Sequence, residues 1–246
     1  MGEATKPQTL AAAQRIIEQQ RSDMEALTAS IRHDLRAPLR AMQGFAEALL
    51  EDYAAKLDPQ AEDYARRIVV AAQTLDTHIR DLAEYTRLGT VELPLSSVDL
   101  NQVVQDAMAR LDEENLIGSA AVIVEEPLPR VIAHGPTLTK IVAQLLSNAV
   151  KFVGDGDQAR VRVLAEPRGD RVRLWVEDNG IGVPEHQRDS IFGMFERLHG
   201  IETYPGNGMG LALVRRGADQ IGGAVGVESV AGDGNGSRFW IELPAG

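Results

Sequence analysis

The long helical segment in the first quarter of the chain constrains the fold most. Its apolar residues recur at heptad spacing, which predicts an amphipathic helix from Gln8 to Tyr53 with a seam suited to another helix. The two seam positions hold Thr28, Leu35, Met42 and Leu49, and Met24, Ile31, Pro38 and Phe45.

A second helix is predicted to follow after a short turn. Asp58 suits the N-cap and Pro59 the first helical position, and Gly89 suits the end of a helix that runs to about Leu88. One hairpin cannot cover two apolar faces, so we expect a homodimer whose two hairpins form a four-helix bundle. The alternative is a hairpin folded against the C-terminal part of its own chain. The apolar stripe of the second helix consists of Tyr64, Ile68, Ala71, Leu75, Ile79 and Leu82.

His33 occupies the heptad position that points furthest from the seam, and it is therefore expected to be exposed. Such a histidine, flanked by Arg32 and Asp34, is most simply a solvated surface residue. Pro38 makes a site more plausible, because a proline removes one helical hydrogen bond and bends the helix at a cost of about 3 kcal/mol. A bend one turn beyond an exposed imidazole favours a site that another group must approach.

The rest of the chain alternates helices and strands after a predicted linker over residues 90–97. Mixed strands with helices on one face predict a two-layer α+β domain, with one covered and one solvated face of the sheet. The predicted helices are Leu100–Glu114, Pro136–Val153 and Gly208–Ile221, and the predicted strands are Ala121–Glu125, Arg130–Ile132, Arg160–Leu164, Arg171–Val176, Ala224–Ser229 and Ser237–Leu243.

Three polar side chains follow one flank of the predicted helix Pro136–Val153. Gln144, Asn148 and Lys151 lie beside its apolar face, where polar groups need partners. An amide oxygen suits Mg²⁺ and an ammonium suits phosphate oxygens. Helix edges often carry these residue types, so the pattern alone does not establish a site.

Glycine-containing segments then follow. In the run from Asp178 to Gly182, glycines permit close approach of a flat ligand, and the carboxylate can accept a hydrogen bond from an amine such as that of adenine. An Asp-Asn-Gly turn is also common in hairpins. The run from Gly206 to Leu211 leads into a helix whose free N–H groups favour phosphate. The run from Gly232 to Ser237 is most simply a hairpin connection.

Together these segments resemble the sensor histidine kinases, most of all phytochrome-type transmitter modules. The stretch around His33 is similar to their phosphoacceptor box, and about Val98 to Leu243 resembles their GHKL ATPase domain. The residues matching the first box are His33, Asp34, Leu35, Arg36, Pro38 and Leu39. The segments matching the N box, first glycine box, F box and second glycine box are Leu145–Phe152, Asp178–Gly182, Ile191–Leu198 and Gly206–Leu211.

The resemblance implies an α + (α+β) fold. A helical hairpin over residues 1–89 would dimerise and carry the phosphoacceptor, and residues 98–246 would form a two-layer α/β sandwich of the GHKL (Bergerat) ATPase type that binds ATP.

The resemblance also implies a reaction. The chain would phosphorylate His33 from Mg-ATP, with Asp34 orienting the ring or accepting a proton, and pass the phosphoryl group to an aspartate of a response-regulator receiver domain. Asn148 would hold Mg²⁺, Asp178 would bind adenine and Lys151 would contact phosphate. The remaining nucleotide-binding residues would be Gly180, Gly182, Arg197, Gly206, Gly208, Gly210 and Leu211, with a short ATP lid between Phe195 and Gly206.

Two residues depart from the family pattern. Gln144 stands where members often carry Asn or Glu; it keeps an amide oxygen but cannot act as a base. Ala37 stands four residues after His33, where many bifunctional members carry a Thr or Asn that orients a water. We therefore expect a kinase with poor phosphatase activity.

Two other functions remain open, a non-catalytic dimeric nucleotide-binding scaffold and a free-standing ATPase of the gyrase type. The net charge of −11 argues against a nucleic-acid partner, and the absence of cysteine excludes disulfides and thiolate metal sites. No apolar run reaches the roughly 20 residues that cross a bilayer, so we expect no membrane insertion and a cytoplasmic location. The stimulus would be received by an upstream sensor domain outside this chain.

Overall fold

The chain divides into two compact units. A computed structural model describes residues 5–88, 92–118, 120–154, 156–198, 206–230 and 236–246. The helical unit comprises Met1–Thr90 and the α/β unit comprises Val91–Gly246. The predicted stop at Gly89, the first residues of the predicted linker and most of the predicted lid lie outside the described residues.

Two helices form the hairpin of the helical unit. Helix α1 spans Thr5–Asp52 and continues through Pro38, a short 3₁₀ helix spans Ala54–Lys56, and α2 spans Pro59–Arg87. The Asp58 carboxylate accepts a hydrogen bond from the backbone N–H of Ala61 at 2.8 Å, which confirms the predicted N-cap.

Small residues line most of the contact between α1 and α2. The buried residues of this contact are Leu39, Ala46, Ala65, Ala72 and Ile79, and the Arg36 Nε lies 3.5 Å from an Asp76 carboxylate oxygen across the hairpin. Small side chains allow the two backbones to approach closely, and apart from Leu39 and Ile79 the larger apolar side chains lie beside this line.

The predicted seam is therefore not the surface that α1 presents to α2. Its large side chains are exposed, most of all Phe45 at 75%. The predicted stripe of α2 also differs from the buried line, since Ile79 is buried whereas Tyr64, Ile68 and Leu75 are exposed. The exposed seam residues of α1 are Ile31, Leu35, Pro38, Met42, Phe45 and Leu49.

The α/β unit is built on a five-stranded sheet. Its strands are, in spatial order, β2 (Ala121–Val124), β4 (Arg160–Arg168), β5 (Arg171–Asp178), β7 (Ser237–Pro244) and β6 (Ala224–Ser229). Strand β2 pairs with β4 in parallel, and the other pairs are antiparallel. The helices are α3 (Leu100–Glu113), α4 (Gly135–Lys151) and α5 (Gly210–Gln220). All of these elements were predicted to within two residues at each end, except that β4 continues four residues beyond its predicted end at Leu164.

A separate two-stranded sheet joins β1 (Ser96–Asp99) to β3 (Arg130–Ala133). The sequence does not predict β1, because two serines give it no apolar alternation and its first residues fall in the predicted linker. Pairing with β3 decides its conformation, and the Arg130 side chain supports it by donating to the Ser97 hydroxyl at 2.9 Å and to the Ser97 carbonyl at 2.8 Å.

One face of the large sheet packs on the three helices in a single core. Buried residues of α4, such as Leu138 and Leu145, belong to the same cluster as Val163 of β4 and Ile241 of β7. This arrangement confirms the predicted two-layer fold.

The opposite face of the sheet is covered by its own side chains. The guanidinium carbon of Arg173 lies 3.8 Å from the ring centroid of Trp240, and that of Arg238 lies 4.2 Å from Trp175. Trp175 is consequently 1% exposed although it points away from the helices. No helix in the described residues combines the length and the apolarity that a bilayer crossing requires.

Candidate functional site

The polar flank of α4 carries the first part of the site. Gln144 Nε2 donates a hydrogen bond to Asn148 Oδ1 at 3.1 Å, and both side chains are half-buried. Lys151 is the last residue of α4. Burial, and secondarily the charge of Arg197, hold the pKa of its ammonium below the usual value.

The segment that leads into α5 lies directly against this flank. A Cβ added to Gly206 would collide with Lys151 Nζ, and one added to Gly210 would lie 2.6 Å from Gln144 Nε2. Gly208 has a φ of +70°, and the Asn207 side chain accepts a hydrogen bond from the backbone N–H of Met209 at 3.0 Å. Glycine therefore lets the backbone of this loop approach both the amides and the ammonium of α4.

Two cations converge on the same loop. The Arg197 guanidinium donates a hydrogen bond to the carbonyl of Gly206, next to Lys151. Like charges at short range repel each other, and an anion placed between them relieves that repulsion. The α4 end of the site is thus suited to a phosphate chain. Leu211, in the first turn of α5, packs against the core beneath the loop.

Asp178, at the end of β5, carries the opposite part of the site. Its Oδ1 accepts hydrogen bonds from the backbone N–H groups of Gly180 at 2.8 Å and Ser237 at 3.0 Å. Burial raises the pKa of this carboxyl to about 6, although the two N–H groups oppose the rise. Both bonds end on Oδ1. As far as the described residues show, Oδ2 is therefore the oxygen that is available to a ligand.

Phe152 joins the two parts. Its carbonyl accepts a hydrogen bond from the backbone N–H of Ile181 at 3.0 Å, and a Cβ on Gly180 would collide with that carbonyl. Gly182 follows with a φ of +78°. The end of α4 and the turn after β5 are therefore in direct contact, so the carboxylate and the cation-lined loop form one continuous site.

Ser237 and Gly236 were missed as parts of this site. Their segment was interpreted as a hairpin connection, and residues 231–235 lie outside the described part of the chain. A Cβ on Gly236 would collide with the carbonyl of Asp178, and the N–H of Ser237 bonds the carboxylate. The pairing of Glu177 with Arg238 brings them together, and this register could not be read from the sequence.

The phosphoacceptor candidate lies in the helical unit. The side chains of His33 and Asp34 are 89% and 72% exposed, which confirms the predicted exposure, and His33 Nδ1 lies 3.2 Å from Asp34 Oδ1. The Ser30 hydroxyl lies 3.5 Å from the other oxygen of Asp34. When Nδ1 carries the proton and donates it to Asp34, Nε2 presents an unprotonated lone pair to solvent.

The donor set of the α/β unit fits an adenine nucleotide with a divalent cation. A buried carboxylate suits an exocyclic amine, and the two cations and the glycine loop suit phosphates. Within the described residues, no group of three His, Cys, Asp or Glu side chains could hold a metal. A cation here would therefore rely on the Asn148 amide oxygen and on phosphate oxygens of the substrate, as Mg²⁺ commonly does.

Comparison with known proteins agrees with this geometry. Residues 23–90 match the family model of the His Kinase A (phospho-acceptor) domain. Residues 133–246 match that of the histidine kinase-, DNA gyrase B- and HSP90-like ATPases. Together the two models match most of the chain, and the first of them separates it from gyrase-type ATPases.

Individual relatives are sensor proteins and phytochromes. The phytochrome-like protein Cph1 of Synechocystis is 30% identical over 96% of this chain and 31% of its own length. The aerobic respiration control sensor protein ArcB of Escherichia coli is 33% identical over 94% of this chain and 30% of its own length. The chain thus spans about a third of these curated relatives.

A solved structure supports the same assignment. Full-length ShkA in complex with AMPPNP is 31% identical, with a TM-score of 0.65 over 89% of this chain and 46% of that one. The chain therefore belongs to the two-component sensor histidine kinases, which are ATP-dependent enzymes, and it matches their catalytic core.

Proposed function

We propose that this chain transfers the γ-phosphoryl group of ATP to His33. The observation that carries the proposal is the exposed imidazole of His33, whose Nδ1 lies against the Asp34 carboxylate. An exposed ring can be reached by a nucleotide bound to the other unit. The contact with Asp34 favours the tautomer in which Nε2 is the nucleophile.

The transfer step follows from that tautomer. The Nε2 lone pair forms a bond to the γ-phosphorus, the bond from that phosphorus to the β–γ bridging oxygen breaks, and ADP leaves with the bonding electrons. The ring gains positive charge, and the Asp34 carboxylate stabilises it by holding or accepting the Nδ1 proton. Positioning and charge neutralisation supply most of the remaining catalysis in phosphoryl transfer.

The α/β unit would hold the nucleotide at both ends. Asp178 accepts a hydrogen bond from the adenine amine, and Lys151 and Arg197 contact the phosphates. Asn148 would hold Mg²⁺, which when bound supplies neutralisation of the phosphate charge. The glycines that permit the backbone to approach the nucleotide are Gly180, Gly182, Gly206, Gly208 and Gly210, and Leu211 lies beneath the last of them.

The phosphoryl group would then pass to an aspartate of a response-regulator receiver domain on another chain. Residues 1–89 would be the phosphoacceptor domain and residues 98–246 the ATP-binding domain. An upstream sensor domain outside this chain would control their activity. Both domains would act in the cytoplasm. Ala37 offers no polar group to orient a water beside His33, so we retain the proposal that phosphatase activity is poor.

The exposed apolar side chains of the hairpin point to a homodimer. At 100° per residue, the exposed stripes of α1 and α2 fall on the same side of the two antiparallel helices. They form one apolar face, to which Leu35, Phe45, Ile68 and Leu75 contribute. A second hairpin that presents the same face would cover it in a four-helix bundle. His33 lies on the opposite side of α1 and stays accessible.

Phe45→Arg is expected to dissociate the homodimer, because it places a charge on the apolar face at its most exposed large side chain. Light scattering after size exclusion would give the mass of a single chain for this variant and twice that mass for the native chain. Val70→Arg is the matched control: Val70 is 60% exposed but lies on the far side of α2. A native monomer, or equal dissociation by Val70→Arg, would contradict the dimer.

His33→Gln is expected to abolish phosphorylation while nucleotide binding is retained. The native chain, incubated with γ-labelled ATP and magnesium, should acquire label that is acid-labile and base-stable, since a phosphorus–nitrogen bond hydrolyses in acid. Nucleotide binding without any label on the native chain would favour a non-catalytic scaffold. Label that persists in the variant would move the acceptor to another residue.

Nucleotide affinity is expected to fall as the pH is lowered through 6. The carboxyl of Asp178, with a pKa of about 6, is ionised above that pH and accepts the adenine amine, whereas its protonated form is a weaker acceptor. Between pH 7 and pH 5 the affinity for ADP should drop by about tenfold, because the ionised fraction of a carboxyl with a pKa of about 6 falls by about that factor over this range.

Asp178→Asn serves as the control for this pH dependence. Its amide oxygen still accepts from Gly180 and Ser237, but its NH₂ group faces the adenine amine, so affinity at pH 7 should fall by at least about tenfold. The phosphates of ADP titrate equally in both proteins, so the variant should show a smaller change with pH. An identical pH profile in the two proteins would remove Asp178 from adenine binding.

A further inference from the structure

Gln144 connects the two parts of the phosphate end of the site. Its Nε2 donates to Asn148 Oδ1 at 3.1 Å, one helical turn further along α4. A Cβ on Gly210 would lie 2.6 Å from Gln144 Nε2, 2.8 Å from its Cδ and 3.2 Å from its Oε1. The Gln144 amide group, which is half-buried, therefore lies in close contact with the first residue of α5.

These contacts fix the orientation of the Gln144 amide. Gly210 packs against it from the loop side, and the hydrogen bond ties its nitrogen to Asn148. With its Nε2 committed to that oxygen, Gln144 in turn restricts rotation of the Asn148 carboxamide. A shorter Asn at position 144 would not span the same distance, and a Glu could not donate a hydrogen bond.

We infer that Gln144 is a positioning residue, which holds the Asn148 oxygen in the orientation that a divalent cation requires and links it to the start of α5. The inference rests on the proposed binding of a magnesium nucleotide at this site. Partners that orient a metal ligand by hydrogen bonding commonly change metal affinity by 10-fold or more when they are removed. Gln144 would thus act through Asn148 rather than as a general base.

The test compares ADP affinity in magnesium and in EDTA. Gln144→Leu keeps the size and the helix propensity of the side chain but removes the donor. The ratio of the two affinities should fall by about tenfold in this variant, with the affinity in EDTA unchanged. Asn148→Ala should lose the same magnesium-dependent gain, and the double variant should lose no more than Asn148→Ala alone.

Gln102→Leu is the matched control. Gln102 on α3 makes the same contact one turn along its helix, donating to an Asp106 carboxylate oxygen at 2.7 Å on an exposed surface. This variant should leave both affinities unchanged.

Three outcomes would overturn the inference. If Gln144→Leu kept the native ratio of ADP affinity in magnesium to ADP affinity in EDTA, Asn148 would need no positioning. A greater loss in the double variant would show that Gln144 contacts the cation itself. If Gln144→Leu lost ADP affinity equally in magnesium and in EDTA, the role of Gln144 would be merely structural. A native chain that binds no ADP would refute the proposed function itself, and is distinct from all three.

Discussion

The close contact between the polar flank of α4 and the glycine segments is the constraint on which the site depends. Gly180 meets the carbonyl of Phe152, Gly206 meets the ammonium of Lys151, and Gly210 meets the amide of Gln144. A Cβ at Gly180 would push the turn after β5 away from the end of α4, and a Cβ at Gly206 or Gly210 would displace the side chain of Lys151 or Gln144. The glycines therefore bring the Asp178 carboxylate, two amides and two cations into one site, in which backbone N–H groups hold the carboxylate and Gln144 holds the Asn148 amide.

The helical unit follows a different principle. Its contact line uses mainly alanines, and its larger apolar side chains are left on one outer face. Burial of a large apolar side chain stabilises a fold by about 1.5–3 kcal/mol, so covering this face favours the proposed pairing with a second copy. His33 lies on the side of α1 opposite this apolar face. The face proposed for the homodimer is thus separate from the side of α1 that carries the proposed phosphoacceptor.

Local sequence patterns predicted the elements better than their contacts. The N-cap at Asp58 and the strand alternation of β4 are properties of neighbouring residues, and both were recognised. The contact line through Leu39 and Ala46 was not, because heptad spacing marks the larger side chains and does not say which partner they face. Strand β1 and the bond from Ser237 to Asp178 depend on pairing between distant segments, which no local pattern contains. The segments Asp178–Gly182 and Gly206–Leu211 were singled out as candidates because their glycines carry a local signal.

The central claim is that Asp34 holds Nδ1 of His33 and leaves Nε2 to attack. The most direct measurement is the position of the phosphoryl group on the ring, determined by ³¹P and ¹H NMR of the phosphorylated chain at alkaline pH. In the native chain the phosphate is expected on Nε2. Phosphate on Nδ1 would contradict it, because that nitrogen could not then have been the one held by the Asp34 carboxylate.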